Sequence, residues 1–271
     1  MKLLLIGDVF GRAGRATVSA VLPRLLAERH FDLVIANAEN LTNGRGTDKK
    51  RLRELFEAGV DVCTSGNHVW QVKEIFEFID HEPRLVRPAN FPEPCPGRGL
   101  SVVTTRFGGQ VAVMNLLGRV YMKPVECPFR TADALLEGLD GIPVRVIDFH
   151  AEATSEKIAL AWYLDGRVSV MAGTHTHVQT ADERILPKGT ATITDLGMTG
   201  PQDSVIGMEK TSVIENYLTG RPTLFEPAKE NNWFHGAAVE VDEKTGRALH
   251  IERIAIRAEE TAPETKARHR S

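Results

Sequence analysis

The sequence predicts an α/β fold in which mixed sheets are covered by helices. Short apolar runs alternate with helical patterns from the first residues onward, and hairpin patterns are added later in the chain. Alternating strands and helices form βαβ units, whereas hairpins bring antiparallel strands, so a regularly repeating barrel is not expected. The 271 residues, 42% hydrophobic and 25% charged, have the composition of a compact globular chain and exclude a disordered or fibrous one.

The N-terminal third of the chain is predicted to contain three strand–helix units. Lys2 to Ile6 is short and mostly apolar, which favours a buried strand, and Gly7 ends it. Apolar residues at helical spacing from Arg15 onward predict a helix, which Pro23 is expected to kink or shorten. The next predicted elements are a strand over 32–38, a helix around 52–56 ended by Gly59, a strand over 60–64 and a helix over 72–79.

Prolines dominate the connection from Pro83 to Pro96, which is therefore predicted to be irregular and to cover a site. Two apolar runs, 100–107 and 110–116, flank the pair Gly108-Gly109 and predict a hairpin. The remaining predicted elements are a helix near 135–139, a strand over 144–149, a helix over 155–164, a strand over 168–172, a helix near 213–218 and a hairpin through Thr245-Gly246.

We expect one domain over residues 1–257, because single α/β domains often run past about 200 residues before the core splits. Residues 258–271 lack large apolar side chains, which predicts a solvated tail. The three cysteines are widely spaced and form no CxxC pair, so we expect neither a disulfide framework nor a thiolate zinc site, and we predict a reducing, cytoplasmic location.

Charge and hydropathy exclude two classes of partner. No apolar run is long enough to cross a bilayer, so no membrane association is expected. The net charge of -3 argues against the broad basic footprint that long nucleic acid requires. Arg12 and Arg15, which flank Gly14 near Asp8, are candidates for holding a phosphate, and ordinary surface arginine is the alternative.

Residues that can ligate metal or transfer protons follow five of the predicted strands. In open α/β sheets ligands bind outside the carboxyl ends of the strands, so such residues can converge on one crevice. Taken singly each has an ordinary explanation, as a helix start, a surface carboxylate or an incidental histidine pair. Their joint occurrence favours a site made of Asp8, Glu39, Asn40, Asn67, His68, His150, His175 and His177.

The donor types in this set indicate a centre with two divalent metal ions. The spacing of His175 and His177 would place both imidazoles on one side of an extended segment. Oxygen and imidazole donors without cysteine suit Mn, Fe, Zn or Mg better than copper(I) or an iron–sulfur cluster. The donors exceed what one tetrahedral ion needs, so two ions bridged by Glu39 are expected. Two divalent cations against Asp8 and Glu39 leave a positive site, which favours an anionic substrate and phosphoester hydrolysis.

The order of these motifs resembles the calcineurin-like metallophosphoesterase superfamily, and nearly the whole chain except the tail is similar to its YmdB-like branch. Against the general superfamily pattern, Phe10 stands where a histidine ligand would be, and Glu39-Asn40 stands where an aspartate usually bridges; the branch implies that Asn40 replaces the missing imidazole. The motifs that carry the resemblance are Gly7-Asp8-Val9-Phe10-Gly11, Asn37-Ala38-Glu39-Asn40, Gly66-Asn67-His68, Asp148-Phe149-His150-Ala151-Glu152 and Gly173-Thr174-His175-Thr176-His177.

The resemblance implies a four-layer α-β-β-α sandwich of two mixed sheets, and it implies a role for each site residue. His68 is left unligated beside Asn67 and is the expected donor of a proton to the leaving alkoxide, with a hydrogen-bonded structural histidine as the alternative. Iron or manganese is the expected metal, and zinc or magnesium is also compatible. One ion is held by Asp8, Glu39, Asn40 and His177, and the other by Glu39, Asn67, His150 and His175.

The activity that the resemblance implies is hydrolysis of 2',3'-cyclic nucleotides at the 2' bond to 3'-nucleotides, by attack of a metal-activated hydroxide. Two alternatives stay open: a phosphomonoesterase or nuclease that uses the same ions, and a non-enzymatic regulatory or RNA-associated protein that the ions stabilise. A small cyclic nucleotide or other phosphodiester is the expected partner. The oligomeric state, a homo-oligomer included, is not determined by the sequence.

Overall fold

The computed structural model describes residues 1–258, and these form two mixed sheets with helices on their outer faces. Apart from Ala258, the predicted tail lies outside the described residues. The strands are β1 Lys2–Ile6, β2 Asp8–Val9, β3 Leu33–Asn37, β4 Val62–Thr64, β5 Leu85–Val86, β6 Leu100–Thr104, β7 Gln110–Leu117, β8 Val144–His150, β9 Val170–Thr174, β10 Arg184–Ile185, β11 Ala191–Ile193, β12 Met198–Pro201, β13 Asn232–Val241 and β14 Ala248–Arg257. The helices are α1 Gly11–Glu28, α2 Lys49–Ala58, α3 Ile75–Phe78, α4 Pro128–Glu137, α5 Thr154–Leu164 and α6 Lys210–Thr219.

Each sheet contains a block of four neighbouring parallel strands, at one end of the first sheet and in the middle of the second. The eight-stranded sheet runs β2-β12-β13-β1-β3-β4-β5, with β14 paired to β13, and β1, β3, β4 and β5 are parallel. The six-stranded sheet runs β10-β11-β9-β8-β7-β6, with β7, β8, β9 and β11 parallel. The carboxyl ends of neighbouring parallel strands therefore meet at one edge of each sheet.

Alternating side chains of the strands build three apolar layers, which confirms the predicted four-layer order. In β1, Leu3 and Leu5 belong to the layer between the two sheets, whereas Leu4 and Ile6 pack with α1 and α2. In the second sheet Val146 faces the first sheet, and its outward neighbours pack on α4 and α5. The period-two alternation of a strand that is buried on both faces produces this arrangement.

Helix α1 differs from its prediction, because it begins at Gly11 and continues through Pro23 to Glu28. Its buried face, which includes Val18 and Leu22, packs on the first sheet. Pro23 removes one hydrogen bond from the exposed side, and the burial of the apolar face outweighs that loss.

The predicted helix over 72–79 is only partly present. Helix α3 has four residues, and a 3₁₀ turn at Ile79–His81 follows it. The segment before α3 has hydrogen bonds between residues three apart, such as Gln71 N–H to the His68 carbonyl and Ile75 N–H to the Val72 carbonyl. This tighter winding replaces the predicted first turns.

The later elements agree with the sequence except for their bounds. The hairpins β6–β7 and β13–β14 form as predicted, and Gly108 takes a φ of 98° in the first of them. Gly59 ends α2 with a φ of 113°, which favours glycine. None of the described helices is long and apolar enough to span a membrane.

We predict that Phe149→Ala lowers the free energy of unfolding by about 3 to 5 kcal/mol, because the ring is fully buried in the layer between the second sheet and its helices. Urea denaturation measures the change. Phe107→Ala is the matched control, since that ring is 72% exposed and its loss should cost under about 0.5 kcal/mol. Equal losses in the two variants would contradict this packing.

Candidate metal centre

The predicted site residues converge where the carboxyl ends of the parallel strands of both sheets meet. Asp8 follows β1, Glu39 and Asn40 follow β3, and Asn67 follows β4, all in the first sheet. The second sheet supplies the histidines: His150 is the last residue of β8, and His175 and His177 follow β9. The crevice therefore belongs to both sheets.

Four of these side chains form a tight group around His150. Its Nε2 atom lies 3.1 Å from Glu39 Oε1, 2.9 Å from Asn67 Oδ1 and 3.0 Å from His175 Nδ1. Glu39, His150 and His175 each place one ligand atom within 4.8 Å of the others. This is the set that the resemblance assigns to one ion.

Hydrogen bonds on the far sides of the two imidazoles leave lone pairs facing each other. Thr174 donates its hydroxyl to Asp148 at 2.7 Å, so it accepts the proton of His150 Nδ1 at 2.9 Å. His175 Nε2 lies 3.1 Å from the Glu152 carboxylate and donates to it. When both imidazoles are neutral, His150 Nε2 and His175 Nδ1 point lone pairs at each other and at two oxygen acceptors, an arrangement that a proton or a metal ion relieves.

The pKa shifts in the group around His150 also indicate that a positive charge is favoured at its centre. Burial acts to lower the pKa of His150, yet the surrounding carboxylates, Glu39 foremost, raise it to about 9. Burial acts to raise the pKa of Glu39, but the charge of His150 and the hydrogen bond to it hold that pKa at about 2. Burial and the neighbouring His150 lower the pKa of His175 to about 3, so its imidazole stays neutral. The group thus favours one positive charge at its centre, which a proton or a metal ion can supply.

Asp8, Asn40 and His177 form a second group beside the first. His177 donates from Nδ1 to the Ile206 carbonyl at 2.9 Å and keeps a lone pair on Nε2, which lies 3.8 Å from Asp8 Oδ1. That Asp8 oxygen is fully buried without a hydrogen-bond partner. Asn40 Nδ2 lies 3.2 Å from His177 Nε2, and a half-turn of the amide would present Oδ1 at the same point.

The two groups touch through Asp8. Its Oδ2 atom accepts the backbone N–H of His175 at 3.1 Å, and its Oδ1 atom lies 3.9 Å from His150 Nδ1. Burial is the main reason that the pKa of Asp8 rises to about 6. The unpartnered Asp8 oxygen and the opposed lone pairs at His150 fit two cations, so the residues present suit a dimetal centre.

The His175-Thr176-His177 segment is not extended, and the expectation from its spacing is wrong. His175 has a φ of 98° and His177 a φ of 64°, both left-handed. Asp195 holds this turn by accepting the Thr176 backbone N–H at 3.1 Å and the Thr176 hydroxyl at 2.7 Å. The turn directs one imidazole to each group, which an extended strand would not do.

His68 lies beside the centre but outside both groups. Its backbone N–H donates to Glu39 Oε2 at 3.0 Å, while its half-buried side chain lines the cavity in front of the centre and its Nδ1 atom has no hydrogen-bond partner. Burial lowers the pKa of His68. Phe10 is buried and packs edge-on against His177 at 5.7 Å between ring centroids, so it supports that imidazole.

A cavity of about 210 Å³ opens in front of the two groups. Within residues 1–258, Arg45 is the one lysine or arginine that lines it, and Arg45 forms no ion pair there. Arg15 is instead paired with Glu54 at 2.6 Å, and Arg12 lines a different cavity. The segment 83–96 contributes no lining residue, so the expectation that it covers the site is wrong.

Several supporting residues were not singled out by the sequence analysis. Asp148 is buried and accepts bonds from Asn37 at 2.9 Å and from Thr64, and Asp195 is paired with buried Lys157 at 2.7 Å. A sequence signal existed for Asp148, because an acidic residue inside the apolar run of β8 is unusual. Asp195 carried no comparable signal.

Comparison with known proteins gives strong matches over almost the whole chain. The family model described as YmdB-like protein matches residues 4–254. The 2',3'-cyclic-nucleotide 2'-phosphodiesterase of Bacillus subtilis (strain 168) is 49% identical over 257 residues, which cover 94% of this chain and 97% of that protein. A putative phosphatase/phosphodiesterase of Mycoplasma pneumoniae is 38% identical over 262 residues, which cover 94% of this chain and 93% of that protein.

Comparison with solved structures identifies proteins that share this fold. A hypothetical protein from Thermus thermophilus matches with a TM-score of 0.90 and 42% identity, over 95% of this chain and 99% of that chain. The NAD nucleotidase of Haemophilus influenzae matches with a TM-score of 0.61 at 14% identity, over 94% of this chain and 55% of that chain. The second match shows the fold alone.

We predict that Gly66→Ala lowers the metal content of the protein, because a Cβ atom at Gly66 would lie 2.3 Å from Glu39 Oε2 and 2.5 Å from His150 Nε2. The added methyl must push apart two side chains of the group around His150. Metal per chain is measured by elemental analysis after loading and desalting. Gly138→Ala is the control, since its Cβ would meet only one atom, at 3.9 Å; equal metal content in both variants would contradict the geometry.

Proposed function

Because the chain belongs to the YmdB-like family, we propose that it is a metal-dependent phosphodiesterase that hydrolyses 2',3'-cyclic nucleotides to 3'-nucleotides. The relative from Bacillus subtilis carries this activity in its name and is 49% identical. The observation in this chain that supports the proposal most directly is the buried surplus of lone pairs, at Asp8 Oδ1 and between His150 and His175. Such a surplus suits cations that would bind a phosphate.

In the proposed centre each side chain has one task. Two divalent ions, when bound, would lower the pKa of the attacking water and neutralise charge that develops on the phosphate. Iron or manganese is proposed because the donors are oxygen and imidazole, and the fully buried Cys63 thiol lies outside the two groups. Glu39 is proposed to bridge the ions; Asp8, Asn40 and His177 complete the ligands of one, and Asn67, His150 and His175 those of the other.

His68 is proposed to donate a proton to the departing 2'-oxygen. The side chain faces the cavity, and the peptide N–H of the same residue is fixed on Glu39 Oε2 at 3.0 Å, so the imidazole has a defined position beside the centre. Its Nδ1 atom is buried and has no hydrogen-bond partner among the described residues. Arg45, the unpaired cation in the cavity, is proposed to attract the anionic substrate.

We also infer a cytoplasmic location from the thiols. Cys63 is buried, Cys95 and Cys127 are partly buried, and all three are free in the described structure. Free thiols of this kind are typical of proteins kept in a reducing compartment.

The assignment of ligands predicts a difference between two conservative variants. Glu39→Gln should reduce the content of both ions, because the residue is proposed as the bridge, whereas Asp8→Asn should chiefly remove one. Elemental analysis of the loaded proteins counts the ions, and the exposed carboxylate Glu137, replaced by Gln, serves as the control. Loss of a single ion from Glu39→Gln would show that this residue does not bridge.

The role of His68 predicts that metal content and turnover separate. His68→Ala should keep both ions and lose about 10²- to 10⁴-fold in kcat on a 2',3'-cyclic nucleotide. The loss should be smaller on an aryl phosphodiester, whose phenolate departs with little protonation.

The control for this experiment is His250→Ala, which changes an exposed histidine on β14. Equal slowing on both substrates together with loss of metal would assign His68 to structure or ligation. If the loaded wild-type protein fails to hydrolyse cyclic nucleotides but cleaves phosphomonoesters or RNA, the proposed substrate is wrong.

A further inference from the structure

The cavity in front of the metal centre has two unlike ends. Glu39, His68, His175 and His177 line one end, and that end belongs to the centre described above. The other end is apolar and comes largely from the excursion between β12 and β13, which carries α6. Its lining side chains include Phe10, Val205, Ile206, Met208, Val213 and Tyr217.

The excursion is fastened directly to the centre. The Ile206 carbonyl accepts the Nδ1 proton of His177 at 2.9 Å, with Ile206 in a left-handed conformation at a φ of 46°. Gly207 follows with a φ of 100°, and a Cβ there would lie 2.6 Å from the ring of Phe10. The turn therefore fits closely between Phe10 and the cavity, so the apolar end has a fixed position relative to His177.

One face of α6 completes the apolar end. Val213, Asn216 and Tyr217 line the cavity, and their spacing of three and four residues puts them on the same side of the helix. Val213 is buried at the base, whereas Tyr217 is 82% exposed at the rim. The amide of Asn216 is engaged, since its Nδ2 donates to the Arg221 carbonyl at 2.7 Å. The wall is therefore mainly apolar, with the Asn216 amide and the Tyr217 hydroxyl as its polar groups.

We propose that this apolar wall, with Tyr217 at its rim and Ile206 next to the centre, binds the nucleobase of the substrate. The inference rests on the proposed function and extends it to the substrate's other half. A nucleoside cyclic phosphate is an anion at one end and a flat ring at the other, and the cavity is continuous from the histidines to the apolar wall. Arg45 lies in the same cavity and suits the anionic end.

Stacking on an apolar wall explains binding without strong selection among bases. Every base has a face that can stack, whereas discrimination needs hydrogen bonds to the base edge. Apart from the Asn216 amide, one N–H of which is engaged, and the Tyr217 hydroxyl, the side chains of the wall are apolar, so stacking should contribute more than contacts to a base edge. The enzyme should therefore accept bases of different kinds and prefer a nucleotide to a substrate that has no base.

The experiment compares a 2',3'-cyclic nucleotide with the same sugar cyclic phosphate bearing a methyl group in place of the base. Wild-type protein should prefer the nucleotide in kcat/KM. Tyr217→Ala and Ile206→Ala should each reduce that preference by about 5- to 100-fold, mainly through KM for the nucleotide. Tyr217→Phe should keep the preference, because it keeps the ring.

The matched control is Leu218→Ala, which removes a neighbouring α6 side chain that is 80% exposed and does not line the cavity. Calorimetric binding gives a readout that does not depend on turnover. A 3'-nucleotide should bind more tightly than inorganic phosphate, and Tyr217→Ala should remove this difference while Leu218→Ala should not.

Three results would overturn the proposal. The first is that wild-type protein shows no preference for the nucleotide and no tighter binding of the 3'-nucleotide. The second is that Tyr217→Ala affects both substrates equally. The third is that Tyr217→Ala and Leu218→Ala act alike and lower the molar mass in light scattering, which would make this face a contact between copies of the chain. Failure of the proposed function is distinct, because wild-type protein would then cleave neither cyclic diester while the binding comparison still reports on the wall.

Discussion

An excess of buried hydrogen-bond acceptors over donors is the constraint on which the rest of this structure depends. Asp8 and Glu39 are almost completely buried, and one oxygen of Asp8 has no hydrogen-bond partner. Isolated buried charge of this kind is costly, and a fold keeps it only when something positive compensates it. At His150 the carboxylates overcome the burial penalty so far that its pKa reaches about 9. A dimetal centre satisfies the same demand with ions that can also hold a phosphate.

The surrounding residues act by fixing which atoms face the centre. Thr174 and Asp148 hold the Nδ1 proton of His150, and the Ile206 carbonyl holds that of His177, so each imidazole, when neutral, presents a defined lone pair. Such outer partners commonly set the orientation and basicity of metal ligands. The buried Lys157–Asp195 pair stabilises the turn at Thr176 in the same way. The centre is thus built from two shells, and the outer shell is mostly contributed by the second sheet.

The architecture explains why one crevice can combine chemistry with recognition. Parallel strands of both sheets place the proposed ligands at one edge. The excursion that carries α6 leaves the first sheet beyond β12 and returns at β13, so it can form an apolar wall without disturbing the strands. The polar and the apolar lining of the cavity meet at Ile206, which lines the cavity and whose carbonyl accepts a hydrogen bond from His177.

The sequence by itself determined the alternation of strands and helices, the two hairpins and the residue types at the strand ends. These are local properties, because burial on both faces of a short strand and the conformational demands of glycine are written in neighbouring residues. The resemblance of its motifs added the sandwich and the sorting of ligands. The tertiary structure decided what depends on distant segments. One such feature is the left-handed turn that directs His175 and His177 to different groups, which the Asp195 carboxylate holds in place. The others are the continuation of α1 through Pro23 and the position of Arg45, in place of Arg15, as the cavity-lining arginine without an ion pair. Each of these follows from contacts between residues far apart in the chain, whose energies no local pattern contains.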